Sequence, residues 1–333
     1  MMWDGALGLG RMQYDRLGFP VPREFDPLPS RDLPRRSGAP SRSDGREVPA
    51  DRPQRRAGLG KAVVVWGLLL FGVCPALLLP AALPLVRRAV VQWAVESAVV
   101  HEGRDEVAAA AADVARAIAW LDGDAEAKGR LLCWRAMLLL ENRQPAAAIA
   151  EATRAATCMP TAAMPRRTRA LAHVVAGDAA AALADAEAAV GFAGAGNPEA
   201  LNHRAYIRAL VGRDLEAALV DVEAALAGSG GDSPEFLDTR GFILHLLGRH
   251  QEAIDDLNQA IGKVQQSRRR EQALADRADG DAAAHRLRAI DHALAVMHHH
   301  RGLACRAIGL ERQAEQDFEI ADRKGFDPAR GVL

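Results

Sequence analysis

The stretch Pro234–Ile261, PEFLDTRGFILHLLGRHQEAIDDLNQAI, has the pattern of two short helices joined at Gly248. Small and apolar residues mark one face of each helix: Leu237, Gly241 and Leu244 in the first, and Ala253, Leu257 and Ala260 in the second. The small residues at 241 and 253 allow the two helices to approach closely, while the leucines fill the seam between them. A pair this small cannot bury its own apolar face, so the sequence predicts similar pairs stacked against it.

The composition of the whole chain favours an all-α protein. Its 333 residues are 49% hydrophobic but only 5% aromatic, and the alternation typical of strands is hard to find. The net charge of −1 gives no general attraction to nucleic acids. The sequence has no nucleophile elbow, phosphate loop or dinucleotide fingerprint. We therefore expect no enzyme, no cofactor and no nucleic-acid partner.

Residues 1–61 are predicted to be a disordered tail. They are rich in proline and carry 12 Arg/Lys against 8 Asp/Glu, a net charge of +4. Proline at this density stops helices, and the segment has no apolar period that could form a core. The patch Leu17–Pro29, LGFPVPREFDPLP, suits either an extended tether or a short docking motif.

Residues 62–86, AVVVWGLLLFGVCPALLLPAALPLV, contain no charged residue and predict one transmembrane helix. The run exceeds the ~20 apolar residues needed to cross a bilayer, and a cleaved signal sequence would be shorter and nearer the N-terminus. More basic residues precede the run (Arg42, Arg46, Arg52, Arg55, Arg56 and Lys61) than follow it (Arg87, Arg88 and Arg104). By the positive-inside rule, the tail is expected in the cytoplasm and the rest of the chain outside.

From about residue 90 to the end, the helix-pair pattern recurs. The alanine that opens each second helix falls at Ala148, Ala182, Ala218, Ala253 and Ala314, and a later alanine falls at Ala155, Ala189, Ala225, Ala260 and Ala321. Successive gaps in the later series are 34, 36, 35 and 61 residues. A helix-turn-helix period near 34 indicates an α-solenoid, here of about five to six helix pairs over residues 90–333.

These repeats resemble the tetratricopeptide repeat family. The resemblance is carried by small residues at the eighth position of each first helix (Ala136, Ala170, Ala205, Gly241 and Gly302) and by turn glycines (Gly177, Gly212, Gly248 and Gly309). The large aromatic residues of the family are mostly replaced here by Leu, Val or Ala, and the turn before Ala218 holds one extra residue. With the apolar run before it, the chain resembles a single-pass membrane-anchored bacterial member.

The resemblance implies a concave groove, lined by the first helices, that binds an extended protein segment or peptide. Carried over by register, the groove candidates at the fifth and ninth positions are Arg167, Asn202, Tyr206, Asp238, Phe242 and His299. Asn202 with Tyr206, and Asp238 with Phe242, would offer polar and aromatic groups side by side. The other interpretation is that these residues form an ordinary groove surface.

A second regularity predicts a ladder of ion pairs. An arginine precedes each small residue (Arg135, Arg169, Arg204, Arg240 and Arg301), and an acid lies three residues after each opening alanine (Glu151, Asp185, Asp221, Asp256 and Asp317). In an antiparallel helix pair these positions lie at similar distances from the turn. We expect partly exposed pairs, each contributing about 0.5 kcal/mol and fixing register more than stability. An arginine stripe that binds an anionic ligand is the alternative.

The gap of 61 residues predicts an extended helical hairpin at about 262–300. Its first arm would run to about Asp276 and its second would start near Asp281, so that the hairpin projects beyond the solenoid edge. It could be a solvated spacer, or it could bind a partner or drive self-association. In the latter case the chain would be an assembly or oligomerisation factor.

Three histidines and two cysteines suggest two further hypotheses. His285, His292 and His299 recur every seven residues, which would suit a metal-responsive sensor only if a partner helix completed the site, and we expect no metal. Cys133 and Cys158 are predicted near the same end of one helix pair, where they would be either buried thiols or a disulfide. The sequence thus predicts a membrane-anchored scaffold that binds protein or peptide, and it does not name the partner.

Overall fold

The computed structural model describes residues 13–14, 20–21, 74–276 and 281–326, with side chains described over 82–276 and 283–326. Most of the predicted tail 1–61, most of the patch Leu17–Pro29, and residues 62–73 of the predicted transmembrane helix therefore lie outside the described residues. Within the described helices, none combines the length and the apolar character that crossing a membrane requires.

Backbone contacts divide the chain into two compact units. One comprises Met1–Gln13 and Val21–Ala89, and its described helical part is the N-terminal half of helix α1 (Cys74–Gly103). The other comprises Tyr14–Pro20 and Val90–Leu333 and contains the helix pairs. Two strands of two residues, β1 (Gln13–Tyr14) and β2 (Pro20–Val21), pair with each other.

The second unit is built from consecutive helices joined by short turns. After α1 they are α2 (Val107–Trp120), α3 (Ala125–Glu141), α4 (Pro145–Cys158), α5 (Met164–Val175), α6 (Ala179–Ala193), α7 (Pro198–Leu210), α8 (Leu215–Gly228), α9 (Pro234–Leu246), α10 (His250–Ala275), α11 (Asp281–Ala307) and α12 (Glu311–Arg323). Helices α1 and α2 make the first pair, and α11 and α12 make the sixth. From α3 onward, each helix packs on its partner and successive pairs pack on each other, which is the arrangement of an α-solenoid.

The periodic alanines form the seams of the pairs. Both predicted series are buried to 1% exposure or less: Ala148, Ala182, Ala218, Ala253, Ala314, Ala155, Ala189, Ala225, Ala260 and Ala321. Gly241 shows why such small residues are needed, because a Cβ atom there would lie 2.8 Å from Leu257 Cγ and 3.2 Å from the Ala253 carbonyl oxygen. At this crossing even a methyl group would force its neighbours to shift.

The turn within each pair contains a residue in the left-handed backbone conformation, with positive φ. At Gly248, which has φ +79°, the amide of Arg249 donates to the Leu244 carbonyl at 2.8 Å and so satisfies an orphan carbonyl at the end of α9. The turn before α8 holds one extra residue, and there Asp214 adopts a left-handed φ of 51°. The insertion is absorbed in the turn, so the helices on either side keep their pairing.

Helices α10 and α11, of 26 and 27 residues, form the long hairpin. Their facing ends, Ala275 and Asp281, lie within one residue of the boundaries that the sequence predicts. The Arg268 guanidinium binds both oxygens of Asp291 at 2.7 and 2.9 Å, which ties the two arms together. The second arm does not simply project into solvent as expected, because its charged side chains contact the first two pairs.

Candidate functional site

The five predicted arginine–carboxylate pairs are present, one in each of the last five helix pairs. Four are bidentate: Arg169–Asp185, Arg204–Asp221, Arg240–Asp256 and Arg301–Asp317, with N–O distances of 2.6–2.9 Å, and Arg135 Nη1 lies 2.6 Å from Glu151 Oε1. The carboxylates are more buried than we expected, and Asp317 is only 1% exposed. An acid this buried depends on its partner, so the ladder matters for stability as well as for register.

Several ladder arginines also contact the preceding helix pair, which the sequence pattern had not predicted. Arg204 Nη1 lies 2.9 Å from both carboxylate oxygens of Glu187, and Arg301 Nη1 donates to Asn258 Oδ1 at 2.7 Å. Arg169 Nη1 reaches Thr153 Oγ1 at 3.2 Å. Each of these partners lies two residues after the ladder acid of its own pair. The arginines therefore join neighbouring pairs and leave no free cationic stripe for an anionic ligand.

In the last helix pair, a histidine also contacts the carboxylate of the ladder. His298 Nδ1 lies 2.8 Å from Asp317 Oδ1, the same carboxylate that Arg301 binds. Burial alone would raise the pKa of Asp317, but the hydrogen bonds from Arg301 and His298 outweigh it and lower that pKa. Asp317 is thus held as a charged group inside the protein.

Three of the groove candidates lie in one aromatic cluster on α7, α9 and α11. The Tyr206 ring meets Phe242 edge-on at 6.5 Å, and Phe242 stacks on His300 at 4.2 Å. His300 Nδ1 also lies 2.9 Å from Asp238 Oδ1. Burial, and then the charge of Asp238, raises the pKa of Tyr206. Asp238 and Phe242 are therefore engaged with His300 and are less open to a ligand than the register predicted.

His299 does not take the groove position that the register assigns to it. Its ring stacks on Phe326 at 4.2 Å and lies 5.5 Å from Phe318, at the C-terminal end of the solenoid. Successive residues on a helix differ by about 100° in direction, so His300 points to Phe242 in its place. The repeat register could not show which ring among His298–His300 faces which neighbour.

The other two groove candidates, Arg167 and Asn202, line an open cavity. Its volume is about 240 Å³, and it lies beside the N-terminal ends of α7 and α9. The wall is formed by Arg167, Glu199, Asn202, Ser229, Asp232, Ser233, Glu235 and Phe236. The Asn202 Oδ1 atom is buried and has no hydrogen-bond partner among the described residues. A buried acceptor without a partner is costly, so this oxygen is ready to accept a donor.

His203, next to Asn202, supports this wall from behind. It is 7% exposed, and burial followed by the charge of Arg167 lowers its pKa well below the ordinary value. The ring is therefore neutral at pH 7, and it bonds to the Arg167 backbone. His203 could not be predicted from the sequence, because one histidine on a helix carries no pattern.

The cysteines and histidines form neither a disulfide nor a metal cluster in the described part of the chain. Cys133 and Cys158 are free thiols, and burial raises the pKa of Cys133 to about 12. Over residues 82–276 and 283–326, no group of three His, Cys, Asp or Glu side chains is placed to hold a metal ion. The disulfide and the metal-sensor hypotheses therefore gain no support from the geometry.

Charged residues of the long hairpin bridge to the first two helix pairs. Arg288 on α11 binds the carboxylate of Asp105, in the turn after α1, and its Nη2 lies 3.3 Å from Glu141 Oε2 at the end of α3. His285 Nδ1 lies 3.8 Å from Glu102 Oε2. These contacts join residues 183 and 147 positions apart for Arg288, so a sequence pattern with a period of 34 could not reveal them.

The chain folds as an α-solenoid of helix pairs, and solved tetratricopeptide repeat proteins are among the structures that it resembles. A tetratricopeptide repeat protein from Parabacteroides merdae ATCC 43184 is 15% identical with a TM-score of 0.42, and the match covers 72% of this chain and 94% of that one. MamA from Desulfovibrio magneticus RS-1 is 14% identical with a TM-score of 0.37, covering 61% and 97%. The Cut9–Hcn1 hetero-tetramer of APC/C is 15% identical with a TM-score of 0.44, covering 72% and 45%.

No protein-family model matches the chain, and no curated protein matches it. The assignment of the α-solenoid fold rests on the chain itself. Its grounds are the helix pairs, the buried alanine seams and the ladder.

Proposed function

We propose that this protein is a membrane-anchored scaffold, not an enzyme, which binds an extended protein segment in the groove beside Arg167 and Asn202. The observation that carries the proposal is the buried, unpartnered Asn202 Oδ1 at the wall of the cavity. A side-chain amide can accept from a peptide N–H and donate to a peptide carbonyl, which suits a main chain of any sequence. The tetratricopeptide-type fold is consistent with a general role in protein–protein interaction.

The size and charge of the cavity favour one side chain of a partner over a metabolite. Its volume of about 240 Å³ is below the ~300–1,000 Å³ typical of small-molecule pockets. Asp232 on the wall is paired with Lys263 Nζ at 3.1 Å, and the other two acids, Glu199 and Glu235, outnumber Arg167. The partner segment would therefore place a lysine or arginine side chain here while its backbone contacts Asn202.

The membrane anchor is proposed from the sequence. Residues 62–86 carry no charge and are long enough to span a bilayer, and α1 continues without a break from Cys74 into the first helix pair.

We propose that the solenoid lies outside the cytoplasm. A reporter that is active only outside the cytoplasm, fused after Leu333, would be active under this topology. A cytoplasmic reporter that is active at the same position would overturn it.

Peptide binding can be tested with the purified full-length chain and a displayed library of random peptides. We expect enrichment of peptides that contain a basic residue, and we expect Asn202→Ala to weaken their binding by about tenfold, the equivalent of ~1.4 kcal/mol. Gln259→Ala, at an exposed position on α10, is the matched control and should leave binding unchanged. Equal binding by the Asn202 variant and the wild type would contradict the proposed site.

A further inference from the structure

The second arm of the hairpin begins well before the part of α11 that belongs to the sixth helix pair. Gly302 is the small residue at the eighth position of that pair, so residues 281–294 are added in front of it. The addition amounts to about four turns of helix. These added turns are where α11 contacts the other end of the solenoid.

The strongest contact is made by Arg288. Its guanidinium binds Asp105 and also lies 3.3 Å from Glu141, so one side chain of the sixth pair joins the ends of α1 and α3. The side chain of Arg288 is only 26% exposed and that of Glu141 25%, although Asp105 is 68% exposed. A pair at such a site is attractive but is screened by salt.

A second contact lies one turn earlier on the same helix. His285 Nδ1 is 3.8 Å from Glu102 Oε2, and that oxygen accepts a hydrogen bond from Trp134 Nε1 at 2.9 Å. Burial, followed by the charges of Arg288 and Arg286, lowers the pKa of His285 to about 4, so its ring is neutral at pH 7. The charge that joins the hairpin to the first two pairs is thus supplied by Arg288.

Within the hairpin, the two arms are held to each other by separate ion pairs. Arg268 binds Asp291 with two hydrogen bonds, and Arg286 Nε lies 2.6 Å from Glu271 Oε1. These pairs do not involve α1 or α3. The contact to the first two pairs can therefore break while the hairpin stays intact.

From this arrangement we infer that the added turns of α11 form an electrostatic clasp, in which Arg288 closes the solenoid by binding Asp105 and Glu141. The clasp fixes the separation of the sixth and the first two helix pairs, a role that goes beyond the proposed peptide site at Arg167 and Asn202. Opening needs only the loss of side-chain contacts between charged groups. A rise in ionic strength, or a charged partner that competes for Arg288, opens it.

The test is a distance measurement on the full-length chain. Two fluorophores are attached through non-canonical amino acids at the exposed Ala284 of α11 and the exposed Ala108 of α2, and energy transfer between them is recorded. We expect Arg288→Glu to lower the transfer efficiency, and we expect the wild type to lose transfer when NaCl rises from about 0.1 M to about 1 M, where the Debye length falls from ~10 Å to ~3 Å. Arg270→Glu, the same charge change at an exposed site on α10, should have no effect.

A charge exchange makes the test specific for this pair. Combining Arg288→Glu with Glu141→Arg should restore part of the lost transfer, which a general loss of stability would not allow. Unchanged transfer in Arg288→Glu at both salt concentrations would overturn the clasp. The readout needs no bound peptide, so a failure of peptide selection leaves the distance result intact, and a failure of the clasp leaves the proposed groove standing.

Discussion

Arg204 binds Asp221 of its own helix pair through two hydrogen bonds and Glu187 of the preceding pair through two more. The two carboxylates differ in their surroundings, since the Asp221 side chain is 9% exposed and that of Glu187 is 63% exposed. One guanidinium therefore serves a buried contact within a pair and an exposed contact between pairs. The same division recurs at Arg301, which binds Asp317 and Asn258.

This division predicts unequal costs for removing the two acids. Asp221→Ala should lower the free energy of unfolding by about 2–3 kcal/mol, because Arg204 and Arg208 both lose a partner in a half-buried site. Glu187→Ala should cost less than about 1 kcal/mol, as is usual for an exposed pair. Urea unfolding of the full-length chain, followed by circular dichroism, measures both values. Equal costs would show that the burial of Asp221 has no energetic importance.

The close helix approach predicts opposite effects for two glycine substitutions. Gly241→Ala should destabilise the protein by about 1–3 kcal/mol, because its Cβ would meet Leu257 Cγ at 2.8 Å and the Ala253 carbonyl at 3.2 Å. Gly262→Ala is the control: it lies inside α10 with nothing within 4 Å, and it should stabilise by about 0.5–1 kcal/mol through higher helix propensity. Thermal unfolding ranks the two variants. A neutral Gly241→Ala would mean that the seam can widen.

Buried histidines predict that stability falls in mild acid. Burial is the main cause that lowers the pKa of His203 well below 6.5 and brings that of His285 and His299 to about 4. A lowered histidine pKa means that the unfolded chain binds more protons than the folded one, so stability is lost as the pH falls from about 6.5 toward 4. The free energy of unfolding should be measured across this range. His299→Phe should reduce the slope by up to one proton, and an unchanged slope would contradict the burial of this ring.

Thiol burial predicts selective alkylation. At pH 8 the Cys133 thiol, with its pKa raised to about 12, should react with iodoacetamide far more slowly than the partly exposed Cys158. After unfolding in urea, the two rates should become similar. Mass spectrometry of peptides from a time course gives both rates. Rapid modification of Cys133 in the folded protein would contradict the burial of this thiol and would show that the packing around it opens readily.

Much of the fold was predictable because its signals are local. The helix pairs follow from three recurring features: the alanine series, the turn glycines, and the one arginine and one acid in each repeat. The gap of 61 residues in the alanine series also predicted the facing ends of α10 and α11. The candidate site was only half predictable. Arg167 and Asn202 line the cavity, whereas His299 lies against Phe326, and His203 and His300 carried no periodic signal.

The sequence by itself determined the repeat period, the seam residues and the partner of each ladder arginine within its own pair. These features depend on residues less than about one repeat apart, whose relative positions follow from helix geometry. Only the tertiary structure decided that Arg204 also reaches Glu187, and that Arg288 contacts Asp105, which lies 183 residues earlier. The Arg204 contact recurs two residues after the ladder acid, but it forms only when neighbouring pairs pack together. The Arg288 contact depends on the rotation of each pair relative to the last, which accumulates along the solenoid and leaves no repeating mark in the sequence.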